Sequence, residues 1–204
     1  MEYDRTMVIT QPRSEQRLWW ELLSSAEGIG LISLDDSTEI GPELIHEVLR
    51  LLDEAGVARR LTVRLRGVDP MQVERTEEVL RAVLDALRGS PLPQFEWATL
   101  TRVLGSDELA ALLHISESSL HRYAKGTRST PDATAERLHF LALIVGDLVG
   151  AYNEVGVRRW FHRPRTALQG KAPIELLGDR WTPEDRGPRA VSELARSLLF
   201  SSAT

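Results

Sequence analysis

The stretch Ser106–Gly126, SDELAALLHISESSLHRYAKG, constrains the fold more than any other part of the chain. Ser106 is a residue type that caps helices by accepting from free backbone N–H groups, so a helix is expected to start there. Asp107 and Glu108 follow, where the positive end of the helix dipole favours carboxylates. Leu109, Leu112 and Leu113 form an apolar stripe at helical spacing. His114-Ile115-Ser116 reads as a turn, with Ile115 buried between two helices and Ser116 as a second cap. The second helix, Glu117 to Ala124, turns Leu120 and Tyr123 inward and leaves Ser118, Ser119, His121, Arg122 and Lys125 outward. Two short helices crossing steeply need a small residue at the crossing, and Ala110 falls there. His114 occupies the turn position where Gly is common, and His tolerates a left-handed backbone better than a β-branched residue. An ordinary helical hairpin could share the caps. The alanine and the inward set at these offsets favour a helix-turn-helix.

The outward face is short, polar and positive, which suits a recognition helix in a major groove. Formal net charge is -5, but it is uneven. Residues 1–90 hold 11 Arg against 17 Asp and Glu, a balance of -6, whereas residues 91–204 hold 14 Lys and Arg against 13 acids, a balance of +1. From His121 to Arg128, Arg122, Lys125 and Arg128 meet no acid, and phosphates would feel that local patch.

The rest of the chain is organised around this motif. Residues 1–14 are a polar lead-in, and Glu15–Ala26 reads as a helix with Leu18, Trp19, Leu22 and Leu23 on one side. Gly28–Leu34, GIGLISL, has the look of a buried strand, and Asp35–Thr38 of a turn. Pro42–Ala55 is an amphipathic helix stopped by Gly56. Leu61–Leu65, LTVRL, alternates as a half-buried strand does, and Pro70–Leu87 is another helix. The order helix, strand, helix, strand, helix predicts a small α/β unit over residues 1–90, with a two-stranded sheet whose edges invite pairing with a second copy. Gly89–Pro93 breaks the chain. Beyond it, residues 91–130 hold a helix at Phe95–Val103 and the helix-turn-helix. Residues 131–204 begin with a long apolar helix from Asp132 to Tyr152. They continue with short helices at Val157–Phe161 and Ala172–Leu177, then Pro188–Leu199 with Val191, Leu194, Ala195 and Leu198 on one face. The expected fold is mainly α, with a small α/β N-terminal unit ahead of an all-α remainder.

Several chemistries are excluded. The chain has no cysteine, so a disulfide framework, a cysteine-ligated zinc and a thiol nucleophile are ruled out. Its five histidines, at 46, 114, 121, 139 and 162, show no metal spacing with carboxylates. Ser118 and Ser119 lack a local base and a strand-to-helix elbow. Gly28-Ile29-Gly30 precedes an expected strand, so it is no nucleotide loop. Catalytic residues, metal and cofactor are therefore each expected to be none. No apolar run approaches a membrane span, and the start lacks an apolar signal core, so a cytoplasmic protein is expected.

After the long helix comes a second informative pattern, W-F-x-x-P-x-x-x-L-x-G-K-x-P-I-E-L-L. It is carried by Trp160, Pro164, Leu168, Gly170, Lys171, Pro173, Ile174, Leu176 and Leu177. With the preceding helix-turn-helix, it resembles the Xre/MbcA/ParS antitoxins over residues 95–200. Arg165 stands where that family often has Asn, and the acidic first ninety residues lie outside the match. The resemblance implies an antitoxin of a type II toxin–antitoxin pair whose partner is a RES-domain toxin that degrades NAD. The C-terminal segment would cover the toxin's active-site cleft, with Arg165, Lys171, Arg186, Arg189 and Arg196 as candidate contacts. Trp160, Pro164, Gly170 and Pro173 would set the backbone of the motif. DNA binding would be autoregulatory, a homodimer or higher oligomer placing two helices on promoter DNA. Ser118, Ser119, His121 and Arg122 would then face base edges, and Lys125 and Arg128 phosphates. Two other readings fit the residues: a helix-turn-helix regulator without a toxin, sensing or dimerising through its first half, and an interaction module that no longer binds DNA.

Overall fold

The computed structural model describes residues 14–34, 38, 41–66 and 77–201. Every regular element among them is helical. In chain order these are α1 (Ser14–Ile29), α2 (Pro42–Glu54), α3 (Arg59–Arg66), α4 (Glu77–Arg88), α5 (Pro93–Leu104), α6 (Ser106–Leu113) and α7 (Glu117–Ala124). Then follow α8 (Asp132–Val149), α9 (Glu154–His162), a single 3-10 turn (Thr166–Leu168), α10 (Pro173–Leu176) and α11 (Arg186–Ser201). The chain divides into two compact units, one of residues 1–23 and 31–89, the other of 24–30 and 90–204.

The expectation of an α/β fold over the first ninety residues is corrected, and both supposed strands fail for physical reasons. Gly28 lies inside α1, which runs on to Ile29, and residues 31–34 have no regular structure. Glycine is needed there for a close approach. A Cβ on Gly28 would lie 2.2 Å from the Ala142 carbonyl oxygen, and one on Gly146 would lie 2.3 Å from that of Ser24. The end of α1 and the middle of α8, both in the second unit, thus meet backbone to backbone through two glycines. Gly30 takes φ +88° just past the helix, and its N–H bonds back to Ala26 and Glu27, the left-handed stop that glycine permits.

Leu61–Leu65 lies within α3. A strand would have put Leu61, Val63 and Leu65 on one face. Instead Thr62 and Leu65 are buried while Val63 is 59% exposed, the pattern of a helix. The buried Thr62 hydroxyl is satisfied by donating to the Arg59 carbonyl at 3.0 Å. Val57 is buried in the turn leading to α3, which packs on both α2 and α4. The apolar positions of α2 and α4 face inward, with Val48, Leu49, Leu52, Leu80, Val83 and Leu87 fully buried. Of the helix expected over Pro70–Leu87, residues 70–76 lie outside the described residues, as do 1–13, 35–37 and 202–204.

The second unit is built on α8, flanked by α5 and α11. From Leu138 on, its buried residues run all round the helix, with Leu138, His139, Phe140, Leu141 and Ala142 buried in succession. Such a helix belongs inside a core, each large apolar side chain contributing about 1.5–3 kcal/mol. The core also holds a hydrogen-bonded polar pair. Glu96 of α5 and His139 of α8 are both buried, with His139 Nδ1 donating to Glu96 Oε1 at 2.6 Å. The same carboxylate oxygen accepts the Leu92 N–H at 3.0 Å, fixing the start of α5. No helix among the described residues is by itself long and apolar enough to cross a membrane.

Candidate functional site

The helix-turn-helix stretch folds as two eight-residue helices, α6 and α7. Its first boundary differs from expectation by one residue. Gly105, at φ +87° and ψ 157°, takes the capping position and makes no side-chain bond, so Ser106 is the first helical residue. That reversal between α5 and α6 needs a backbone open to positive φ, and a serine there would be strained. Asp107 and Glu108 still sit in the first turn.

His114 adopts the left-handed conformation, φ 54° and ψ 45°. Its N–H bonds to the Ala111 carbonyl and the Ile115 N–H to that of Ala110. These two bonds form a Schellman ending, which satisfies carbonyls that α6 cannot pair internally. Ile115 is half-buried, not enclosed between the helices as expected. Ser116 caps α7, its Oγ accepting the Ser119 N–H at 3.2 Å. Ala110, Leu120 and Tyr123 are buried at the inner face.

Outward, Ser118, His121, Arg122, Lys125 and Arg128 are exposed, and Ser119 is half-buried. Arg122 lies back along its own helix, Nε donating to the Ser118 carbonyl at 3.2 Å and a terminal nitrogen to Ser119 Oγ at 3.5 Å. The Arg122 carbonyl in turn accepts the Thr127 hydroxyl at 3.1 Å and the Arg128 N–H at 3.3 Å. Arg128 stands over the Tyr123 ring, 5.6 Å from its centroid, and Tyr123 stacks on Trp97 at 6.0 Å. Trp97 Nε1 donates to Thr130 Oγ1 at 3.1 Å. The basic loop after α7 is therefore held to the core through an aromatic pair while its charge stays at the surface.

The second motif closes on itself. The Arg165 N–H donates to the Lys171 carbonyl at 3.0 Å, and the Gly170 N–H to the Arg165 carbonyl at 2.9 Å. Closing that loop takes left-handed residues at Gln169 and Gly170. Pro173 opens α10 and is buried, and the Glu175 carboxylate accepts the Ala172 N–H at 2.5 Å. Trp160 and Phe161 are fully buried with rings edge to face. The Arg165 guanidinium covers the Trp160 ring at 5.6 Å, whereas Pro164 and Lys171 are exposed. Arg186 and Arg189 are exposed at the start of α11, and Arg196 is half-buried further along it. These three are not in the loop that holds Arg165 and Lys171.

Sequence reasoning missed how the two motifs are joined. His114 Nε2 donates to the Leu177 carbonyl at 3.0 Å, and its other ring nitrogen is 3.5 Å from Asp179. The indole N–H of Trp181, buried, donates to the Leu112 carbonyl at 3.0 Å. Arg137 of α8 holds the Trp181 carbonyl at 2.7 Å and lies over its ring. The end of α6 is thus finished by side chains and carbonyls of the segment after α10. The tryptophan was a visible signal, since a buried indole needs an acceptor; which carbonyl it finds was not readable from spacing.

No group of three or more metal-ligating side chains occurs among the described residues. Comparison with protein-family models, with curated proteins and with solved structures returned no match in any of the three.

Proposed function

We propose that the chain is a cytoplasmic antitoxin that binds its own promoter through α6 and α7 and neutralises a RES-domain, NAD-degrading toxin through its C-terminal region. The observation that carries the reading is α7 itself: a recognition-type helix, Ser116-capped and backed by buried Leu120 and Tyr123, with a cationic face open to solvent. Arg122 suits bidentate contact with guanine and has only to turn away from Ser118 and Ser119 to reach a base edge. Ser118, Ser119 and His121 would adjust that contact, and Lys125 and Arg128 would hold phosphates. A homodimer or higher oligomer would set two such helices on successive turns of a palindromic site.

The toxin half of the reading rests on the resemblance of the Trp160–Leu177 motif to that antitoxin family. Lys171, Arg186 and Arg189, all exposed, are its best candidate contacts. Arg165 and Arg196 are more enclosed and would contribute less.

Growth of a host expressing the neighbouring reading frame, with and without this chain, tests the proposal. The expected result is arrest with loss of NAD, both relieved by the wild-type chain and by Arg122→Ala, while Arg122→Ala weakens promoter binding at least tenfold. A harmless neighbour, or an arrest that is not relieved, would overturn the antitoxin role and leave a regulator. Unchanged DNA affinity in Arg122→Ala would overturn the groove assignment.

A further inference from the structure

The largest set of cations uninterrupted by an acid is not in the recognition helix. Between Glu154 and Glu175 lie Arg158, Arg159, Arg163, Arg165 and Lys171, with His162, and no carboxylate. Three of these six are engaged in the fold. Arg158 donates to the Val103 carbonyl at 2.7 Å, Arg165 covers Trp160, and His162 Nε2 donates to Glu108 Oε1 at 2.8 Å. Glu154 itself is occupied by Arg102 at 2.5 Å and by Arg158 at 3.8 Å. Arg159 and Arg163 are exposed, and neither side chain has a hydrogen-bond or ion-pair partner among the described residues.

Their position is fixed by neighbours. Residues three apart share a helix face, so Arg159 adjoins His162 at the last turn of α9, and Arg163, extended, is the next residue along the chain. His162 is bonded to Glu108, in the first turn of α6, so this basic end stands beside the start of the first helix of the helix-turn-helix. In that motif the first helix crosses the phosphate backbone while the second enters the groove. Glu108 would repel phosphates there, and the His162 bond occupies its carboxylate. Asp107, exposed in the same turn, is the opposing charge. Arg159 and Arg163 outnumber it.

From this we infer a second phosphate-binding surface, made by Arg159 and Arg163 at the end of α9, that grips the duplex backbone beside α6. The inference rests on the DNA-binding reading of α7. It adds affinity without sequence preference, because phosphate contacts position a protein and do not read bases.

Salt dependence of binding separates the possibilities. Affinity for duplex DNA from the region upstream of the reading frame would be measured across salt concentrations for wild type, Arg122→Ala, Arg159→Gln/Arg163→Gln and Arg159→Lys/Arg163→Lys. Each phosphate contact contributes about 0.9 to the slope of log affinity against log salt. The glutamine pair should lower that slope by about 1.8 and weaken specific and unrelated duplexes alike, and the lysine pair should restore it. An unchanged slope in the glutamine pair, with Arg122→Ala still weakened, would overturn this inference and leave the groove assignment standing. So would an unchanged slope accompanied by weaker binding to the neighbour's protein product, which would mark the surface as one for an acidic protein. Absence of DNA binding in the wild type would overturn both.

Discussion

The two units are held together by different kinds of bond. In the first, the ion pairs described are mostly between residues a turn apart on an exposed helix face. Arg50 pairs with Glu47 and Glu54, Arg81 with Glu77, and Arg88 with Asp85, besides a longer reach from Arg88 to Glu21. The Arg50 hydrogen bond holds the Glu47 carboxyl below its ordinary pKa, yet such surface pairs stabilise little. In the second unit, bonds join distant segments and several are buried: Glu96 to His139, Trp181 to Leu112, Arg137 to Trp181, Arg158 to Val103. Apolar packing alone would let helices settle in several arrangements of similar energy. Directed bonds to particular carbonyls single out one arrangement.

The largest expected effect comes from the buried pair. His139→Leu would leave the Glu96 carboxyl, at 0% exposure, without its imidazole donor. Leaving a buried carboxyl acceptor unpaired costs about 3 kcal/mol, read as a lower urea midpoint for the transition that reports on α8. A loss under about 1 kcal/mol would mean that the pair is dispensable and the contrast between the units is overstated.

Next in size is Trp181→Phe. The smaller phenyl ring leaves a gap beside Phe140 and Arg137, and the Leu112 carbonyl loses its donor; leaving a buried acceptor unpaired costs about 1–3 kcal/mol. Because that carbonyl ends α6, amide exchange should quicken at His114 and Ile115 before it does in α8. Equal acceleration throughout the second unit would refute a local role for the indole.

The same contrast explains what could be read from the sequence. The second unit's elements were legible because capping chemistry is local: Ser116 caps α7 from inside its own turn, and Pro173 opens α10 from its own first position. Left-handed His114 was a weaker signal, since Gly is commoner at that turn and His only tolerates the backbone better than a β-branched residue does. Of the candidate site, the outward residues of α7 were readable from helical periodicity, and Arg159 and Arg163 were overlooked because pairing decides which cations are free. Over the first ninety residues the signals were apolar patterns that two elements can share. GIGLISL is a short apolar run whichever way it folds. What decided it was the contact between Gly28 and Gly146, 118 residues apart in the chain, and no local pattern encodes that.

LTVRL offers the smallest and sharpest test. In the helix, Val63 points to solvent while Thr62 and Leu65 are buried. Val63→Lys should therefore change stability by no more than about 0.5 kcal/mol, as exposed substitutions usually do. Thr62→Lys, one position earlier, would bury an ammonium and strip away the hydroxyl's bond to Arg59, and should destabilise far more. In a half-buried strand the order reverses, because residues 61, 63 and 65 would share the core face and residue 62 would face water. Measuring both variants by urea unfolding gives a difference in stability whose sign separates the two structures without reference to the rest of the unit. A Val63→Lys variant that is the less stable of the two would restore the strand and with it the α/β first unit.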